Sequence, residues 1–267
     1  AQSNEEEAIK NVFMSSDERG LFIRIDYDQT KWNPEEYSTS ILLNTIKNQG
    51  QSTIPNVKRV NEEGIDFVVE INGEGQSRVL VDSYYDTFYY QYGKVLNMIE
   101  TKDYANKKNN GIYHPIRLTL NKELTINKEE GQMTVPFSSY ETGKLTYGVG
   151  NSQKENSTSL ADFYIKDGTL ELRLPWLMIN VKDPSQKEIM GDVWSEKGIA
   201  SSEIIQSLFA KVVVTNKDQE PVQMVPSLEG DWIQYSWDNW DEPTYHERLK
   251  KSYNYLQETF KKININE

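Results

Sequence analysis

The sequence predicts an all-β protein, an antiparallel, jelly-roll-like β-sandwich with long loops and one C-terminal α-helix. Three observations carry that reading. Short runs alternate apolar and polar residues, the period of a strand with one face buried. Clusters of Gly, Asn, Asp and Pro separate these runs. Only the last part of the chain, from about residue 243 to 263, repeats its apolar residues every three or four positions.

The clearest strand lies in residues 169–185, where Leu170, Leu172 and Leu174 face a core while Glu171 and Arg173 face the other way. Pro175 ends the ladder because it has no N–H to give, and Trp176 is expected to plug the core at the strand end, before the Asp183-Pro184 turn. Residues 8–27 form a hairpin, with Ser16-Asp-Glu-Arg-Gly20 as its turn and Leu21, Ile23 and Ile25 as the inward set of its second arm. The pattern breaks at Trp32-Asn-Pro34 and resumes in a strand from Tyr37 to Ile46. Residues 66–71 and 77–82 pair through Asn72-Gly-Glu-Gly75, whose glycines supply the positive φ of a tight hairpin. Residues 94–102 fit helix or strand equally, and further strands fall at 114–125, 132–137, 144–148, 162–166 and 211–215. Tyr245, Leu249, Tyr253, Leu256, Phe260 and Ile263 line one face of the final helix, which Pro243 opens and Asp241 and Glu242 favour electrostatically. With no internal repeat and no Gly/Ser linker, residues 1–267 read as one domain: a sandwich over about 8–230 and a helix, 243–263, docked on it.

Composition narrows the function. A formal charge of −12 opposes binding to nucleic acid or an anionic bilayer, both of which need a basic field. No apolar run is long enough to insert directly into a membrane. The absence of cysteine excludes disulfides and thiolate chemistry. Tyr outnumbers Phe by 16 to 8, a weighting suited to half-wet surfaces.

The candidate sites are aromatic. In the run from Tyr84 to Tyr92, alternation cannot place every ring in one core, so Tyr84, Tyr85 and Tyr89 either stack on a pyranose or pack under the loop that follows. Trp194, near Asp192 and Glu196, lines a pocket or a rim. Trp237 and Trp240 form a carbohydrate platform or pin the C-terminal helix. Asp26 and Asp28 are an oxygen-rich pair for calcium, with Asp183 and Asp192 a second. Asp26 with Asp28, or Asp162 with Glu171, are the carboxylate pairs a glycoside hydrolase would need, though no spacing singles them out. His114 with Met133 is the pair a haem would require. There is no phosphate loop, nucleophile elbow or His/Cys cluster, so the expected role is non-catalytic and needs no cofactor, calcium apart.

The order of Ser16-Asp-Glu-Arg-Gly-Leu-Phe-Ile-Arg-Ile25, Gly64-Ile-Asp-Phe-Val-Val-Glu-Ile71 and Leu170-Glu-Leu-Arg-Leu-Pro-Trp176 resembles the family 9 carbohydrate-binding modules and related DOMON-like sandwiches, over roughly residues 9–215. Residues 235–253, with Trp237, Trp240 and Tyr245, resemble the C-terminal region of large exported bacterial proteins linked to polysaccharide. The resemblance implies a polysaccharide-binding accessory domain at the cell surface or outside the cell. The alternatives are a domain packing on an upstream catalytic domain and a glycoside hydrolase. No Trp here aligns with the family's sugar-clamping positions.

Overall fold

The computed structural model describes residues 7–129, 131–150, 157–242 and 250–263. In chain order its strands are β1 (Ile9–Ser16), β2 (Gly20–Tyr27), β3 (Ser38–Asn44), β4 (Phe67–Ile71), β5 (Arg78–Asp82), β6 (Tyr113–Pro115), β7 (Arg117–Asn121), β8 (Leu124–Lys128), β9 (Gly131–Val135), β10 (Ser138–Glu141), β11 (Phe163–Lys166), β12 (Thr169–Pro175), β13 (Val181–Asp183), β14 (Glu188–Met190), β15 (Ser202–Ile204), β16 (Leu208–Thr215), β17 (Pro221–Val225) and β18 (Ile233–Tyr235). A helical turn α1 (Thr87–Tyr89) and a helix α2 (Lys251–Ile263) complete the set.

Two antiparallel sheets face each other. The smaller has the order β1-β2-β12-β11; the larger runs β17-β16-β3-β4-β5-β6, with β18 beside β17 on the same edge of β16. The inward sets are those the alternation predicts: Leu21, Ile23 and Ile25 of β2 with Leu170, Leu172 and Leu174 of β12 meet Ile41, Leu43, Phe67, Val69 and Val212 from the larger sheet. Each such fully buried aliphatic side chain contributes about 1.5–3 kcal/mol. The larger sheet is covered on its other face too, where Leu42, Val68 and Val213 pack under Ile54, Val60 and Ile65 of the long β3–β4 loop. Sheet and loop therefore form a third layer, which explains why β3, β4 and β16 read as near-continuous apolar runs.

Trp176 plugs the strand end as expected. It begins a 3-10 turn, donates its indole N–H to the Asp17 carbonyl at 2.8 Å, and lies against Trp237 with ring centroids 4.9 Å apart.

Three features depart from the sequence reading. Residues 144–148 make isolated bridges rather than a strand: Leu145 N–H donates to the Ser77 carbonyl (2.9 Å) and Gly148 N–H to the Phe163 carbonyl (3.0 Å), so this strap spans from one sheet to the other. The expected strand at 114–125 divides into β6, in the large sheet, and β7 and β8, which with β9 and β10 form a two-stranded ribbon over 117–141 whose residues are mostly exposed. Helix α2 has its expected apolar face, but it is not docked through the residues described: Tyr253, Leu256, Phe260 and Ile263 are all exposed, Phe260 at 62%. The tryptophans meant to hold it are engaged elsewhere. Pro243 and Tyr245 to Leu249 lie outside the described residues.

Candidate functional site

The tyrosine cluster is built by two carboxylates acting as caps. The Asp82 side chain accepts from Tyr84 N–H and starts a 3-10 turn; Asp86 accepts from Phe88 and Tyr89 N–H and starts α1. These turns roll Tyr84 and Tyr85 inward. Tyr85 is fully buried and donates its hydroxyl to the Met190 carbonyl; Tyr84 is buried and donates to Asp192 at 2.9 Å. Tyr89 bonds the Glu100 carbonyl, and Trp194 donates to the Tyr84 carbonyl at 3.0 Å while standing edge-on to Tyr90. Trp237 is buried with its N–H on the Pro184 carbonyl, and Trp240 is half-buried against the core.

The six aromatic positions thus fall in two separate places. Tyr84, Tyr85 and Trp237 have no ring face available to a sugar, a correction that follows from their burial. Tyr89 and Trp194 are half-exposed but committed to loop packing.

The polar candidates are likewise spoken for. Asp26 is gripped by Arg24 at 2.8 Å, and Asp28 by the Thr30 backbone and hydroxyl with Lys10 at 3.6 Å, so neither is arranged as a calcium ligand. The Thr30 bonds hold the Asp28 carboxyl below its usual range. No group of three acidic or histidine side chains placed to hold a metal occurs among the described residues. His114 has Asp86 at 2.8 Å on one ring nitrogen and Tyr104 at 3.0 Å on the other, while Met133 sits on the ribbon, so the haem pair is not assembled.

What the structure does assemble is the outer face of the four-stranded sheet. Register places Phe13 opposite Arg24, Arg24 opposite Glu171, and Glu171 opposite Tyr164, a row crossing all four strands. A second row beside it carries Ser15, Phe22 and Arg173. These side chains line an open groove of about 1030 Å³, walled on one side by the 148–150 and 161–162 segments. Phe13, 52% exposed, stands at the outer edge of β1, and the Arg24 guanidinium lies over its ring at 5.7 Å. Asp26 raises the affinity of Arg24 for its proton, so this cation is permanent. Arg173 reaches the Ser159 carbonyl at 3.2 Å and lies 3.8 Å from Asp162. Asp162 also accepts from Thr146 N–H at 2.8 Å and so acts as a fastening for the groove wall. The Asp162–Glu171 pair is therefore brought to one groove, but one member is already bonded.

The signal for this face was in the sequence: if Ile23, Ile25, Leu170 and Leu172 point inward, then Phe22, Arg24, Glu171 and Arg173 must point out. The missing piece was Phe13, whose side of β1 only the strand register fixes.

No family model, curated protein or solved structure matches this chain.

Proposed function

We propose that this is a non-catalytic domain that binds polysaccharide across the outer face of its four-stranded sheet, as part of an exported or cell-surface bacterial protein. The observation that carries the reading is the transverse row Phe13, Arg24, Glu171, Tyr164, with an aromatic ring at each end and hydrogen-bonding groups between. Adjacent strands lie about 4.8 Å apart, so the row spans about 14 Å, room for a short run of sugar rings. Aromatic faces stack on the C–H face of a pyranose, and Arg24 and Glu171 offer donors and acceptors to its hydroxyls. A rigid sheet keeps these groups in place before the ligand arrives, which lowers the entropic cost of binding.

Calorimetry against neutral and anionic polysaccharides tests this. Phe13→Ala and Tyr164→Ala are each expected to weaken binding about tenfold. Unchanged affinity in both variants, or no polysaccharide bound by the parent protein at millimolar sugar, would sink the proposal.

A second reading, a domain that packs on an upstream part of the same protein, is favoured by one observation: the ribbon over 117–141 exposes Leu118, Leu120, Ile126 and Tyr140, with Leu120 at 65%. Leu118 and Tyr140 are cross-strand neighbours, and exposed apolar residues grouped in this way mark interaction sites. Its test is hydrogen exchange of these strands in the full-length protein and in the isolated domain, where equal protection would count against it.

A further inference from the structure

A second groove, of about 740 Å³, lies on the other sheet of the sandwich, at the end where β3 leaves the large sheet. Its walls come from the chain after β3, the segment before β4, and residues 108–109 of the β5–β6 connection. They are held together closely. Gln51 and Ile65 exchange backbone hydrogen bonds at 2.9 and 3.0 Å, and Ser52 N–H and hydroxyl both bond the Asn109 side chain. Gly50, at φ +94°, passes so near Gly64 that a β-carbon would come within 2.5 Å of its carbonyl carbon, so only glycine lets the two walls meet. Beneath the groove, Lys211 is wholly buried and donates to Glu62 and to the Leu228 carbonyl, while the other Glu62 oxygen accepts from Gly230 N–H at 3.0 Å. That internal ion pair ties the floor to the loop carrying Trp232.

The lining is rich in amides: Asn44, Asn48, Gln49, Asn61 and Asn109. Gln49 is the telling one. It is 8% exposed and lines the groove, while its amide nitrogen is closed off from solvent and has no hydrogen-bond partner among the described residues. A buried donor left unpaired costs about 1–3 kcal/mol, a cost that a ligand acceptor would relieve. The exposed charges around it balance, Lys47 and Lys108 against Glu63 and Glu229, so neither an anion nor a cation is selected. Each amide offers an acceptor oxygen and two donor hydrogens, which matches ligands whose groups both give and take hydrogen bonds.

From these observations we infer that this groove is a second binding site, for a neutral hydroxyl- or acetamido-bearing sugar, with Asn48 and Asn61 bonding its hydroxyls and the enclosed Gln49 amide turning outward to donate to a ligand oxygen. The inference extends the polysaccharide reading to a site on the opposite sheet from Phe13 and Tyr164, and it stands or falls separately from that face.

The test uses the Phe13→Ala/Tyr164→Ala double variant, titrated with neutral hexasaccharides built of glucose, mannose or N-acetylglucosamine and followed by ligand-observed NMR. At least one should still bind at millimolar concentration, and adding Asn48→Gly and Asn61→Ala should weaken it at least about tenfold. Both asparagines are exposed, and Asn48 lies in the left-handed region at φ +66°, which glycine adopts without strain, so these changes leave the fold intact. Gln49→Glu, which replaces the donor by an acceptor, should also weaken binding. The inference is overturned if the double variant binds none of these sugars, or if the asparagine changes leave its affinity unaltered. Sugar binding by the parent that disappears with Phe13 and Tyr164 would leave the sheet face standing and remove this groove; binding untouched by those two changes but lost with the asparagines would do the reverse.

Discussion

Trp176 shows how one side chain can join distant parts of this chain: its ring fills the end of the core and touches Trp237, and its N–H bonds the turn between β1 and β2. Trp176→Ala should cost about 3–5 kcal/mol, read as a lowered denaturation midpoint in urea. Glu62 and Lys211 are a sharper case, being a fully buried ion pair. Lys211→Met leaves the Glu62 charge unpaired and should cost about 3–5 kcal/mol, and pairing it with Glu62→Gln should recover part of that loss. Recovery of nothing would mean that the lysine acts through its Leu228 bond instead. Trp176 was legible before the structure was known, because Pro-Trp at the end of an alternating strand has few places to go. The buried lysine was not: a lone Lys within β16 carries no mark of burial until β3, β17 and the β3–β4 loop are placed around it. The sequence leaves Tyr84 and Tyr85 open between a sugar platform and packing for a related reason. Tyr84 and Tyr85 were weighed by strand alternation, whereas the Asp82 cap bends them into a 3-10 turn that buries both rings.

Strands with one wet and one dry face declared themselves in the sequence, and β2 and β12 lie where alternation puts them. The short strands β13, β14 and β15 have three residues each, too few for a period to show. The sequence places strands at 114–125 and 132–137 but does not show that they leave the sandwich, and the structure has Leu118, Leu120, Ile126 and Met133 exposed on a separate ribbon. Its base is closed by the Ile116 carbonyl, which accepts from Thr142 and Gly143 N–H at 2.9 and 3.1 Å. Replacing residues 122–136 by a short Gly-rich turn, which leaves Phe137 against Phe88 and Tyr92, should therefore change stability by less than about 1 kcal/mol, measured by chemical denaturation. A larger loss would show that the ribbon supports the sandwich. The periodicity near the C-terminus found a real helix, yet an apolar stripe says that a face seeks cover and not what covers it.

For the molecule as a whole, pH should matter in an unusual direction. Burial pushes the Asp66 carboxyl up to about 7 and that of Asp82 up to about 6, because the loss of water outweighs the hydrogen bonds each accepts, and Asp66 also faces the Asp82 charge. In the unfolded chain both sit near the ordinary value of about 3.9. The folded state therefore holds more protons between these limits, and the stability contributed is full below the unfolded value and lost as pH rises through 6 and then 7. The slope is about 1.4 kcal/mol per pH unit for each proton held. The thermal midpoint should be higher at pH 5 than at pH 8, and Asp66→Asn, which keeps an acceptor for Thr45 and Ile46 N–H, should shrink that difference. A difference of the same size in the variant would assign the effect to the overall negative charge instead. The strap over residues 142–148 bears on motion at this same level. On its flank the two sheets are sewn by backbone, through Val79 N–H to Gly143, Leu145 N–H to Ser77 and Gly148 N–H to Phe163. On the opposite flank side chains reach across instead: Gln223 to Ile9, at 2.7 Å to its N–H and 3.4 Å to its carbonyl, and the Tyr235 hydroxyl to that of Ser16 at 2.8 Å. The sandwich is built like a book, with a backbone spine on one side and a side-chain clasp on the other. Its breathing should open the clasp first, exchanging the Ile9 amide for deuterium well before those of Val79 and Leu145, and exposing the ends of the inner strands from that side alone.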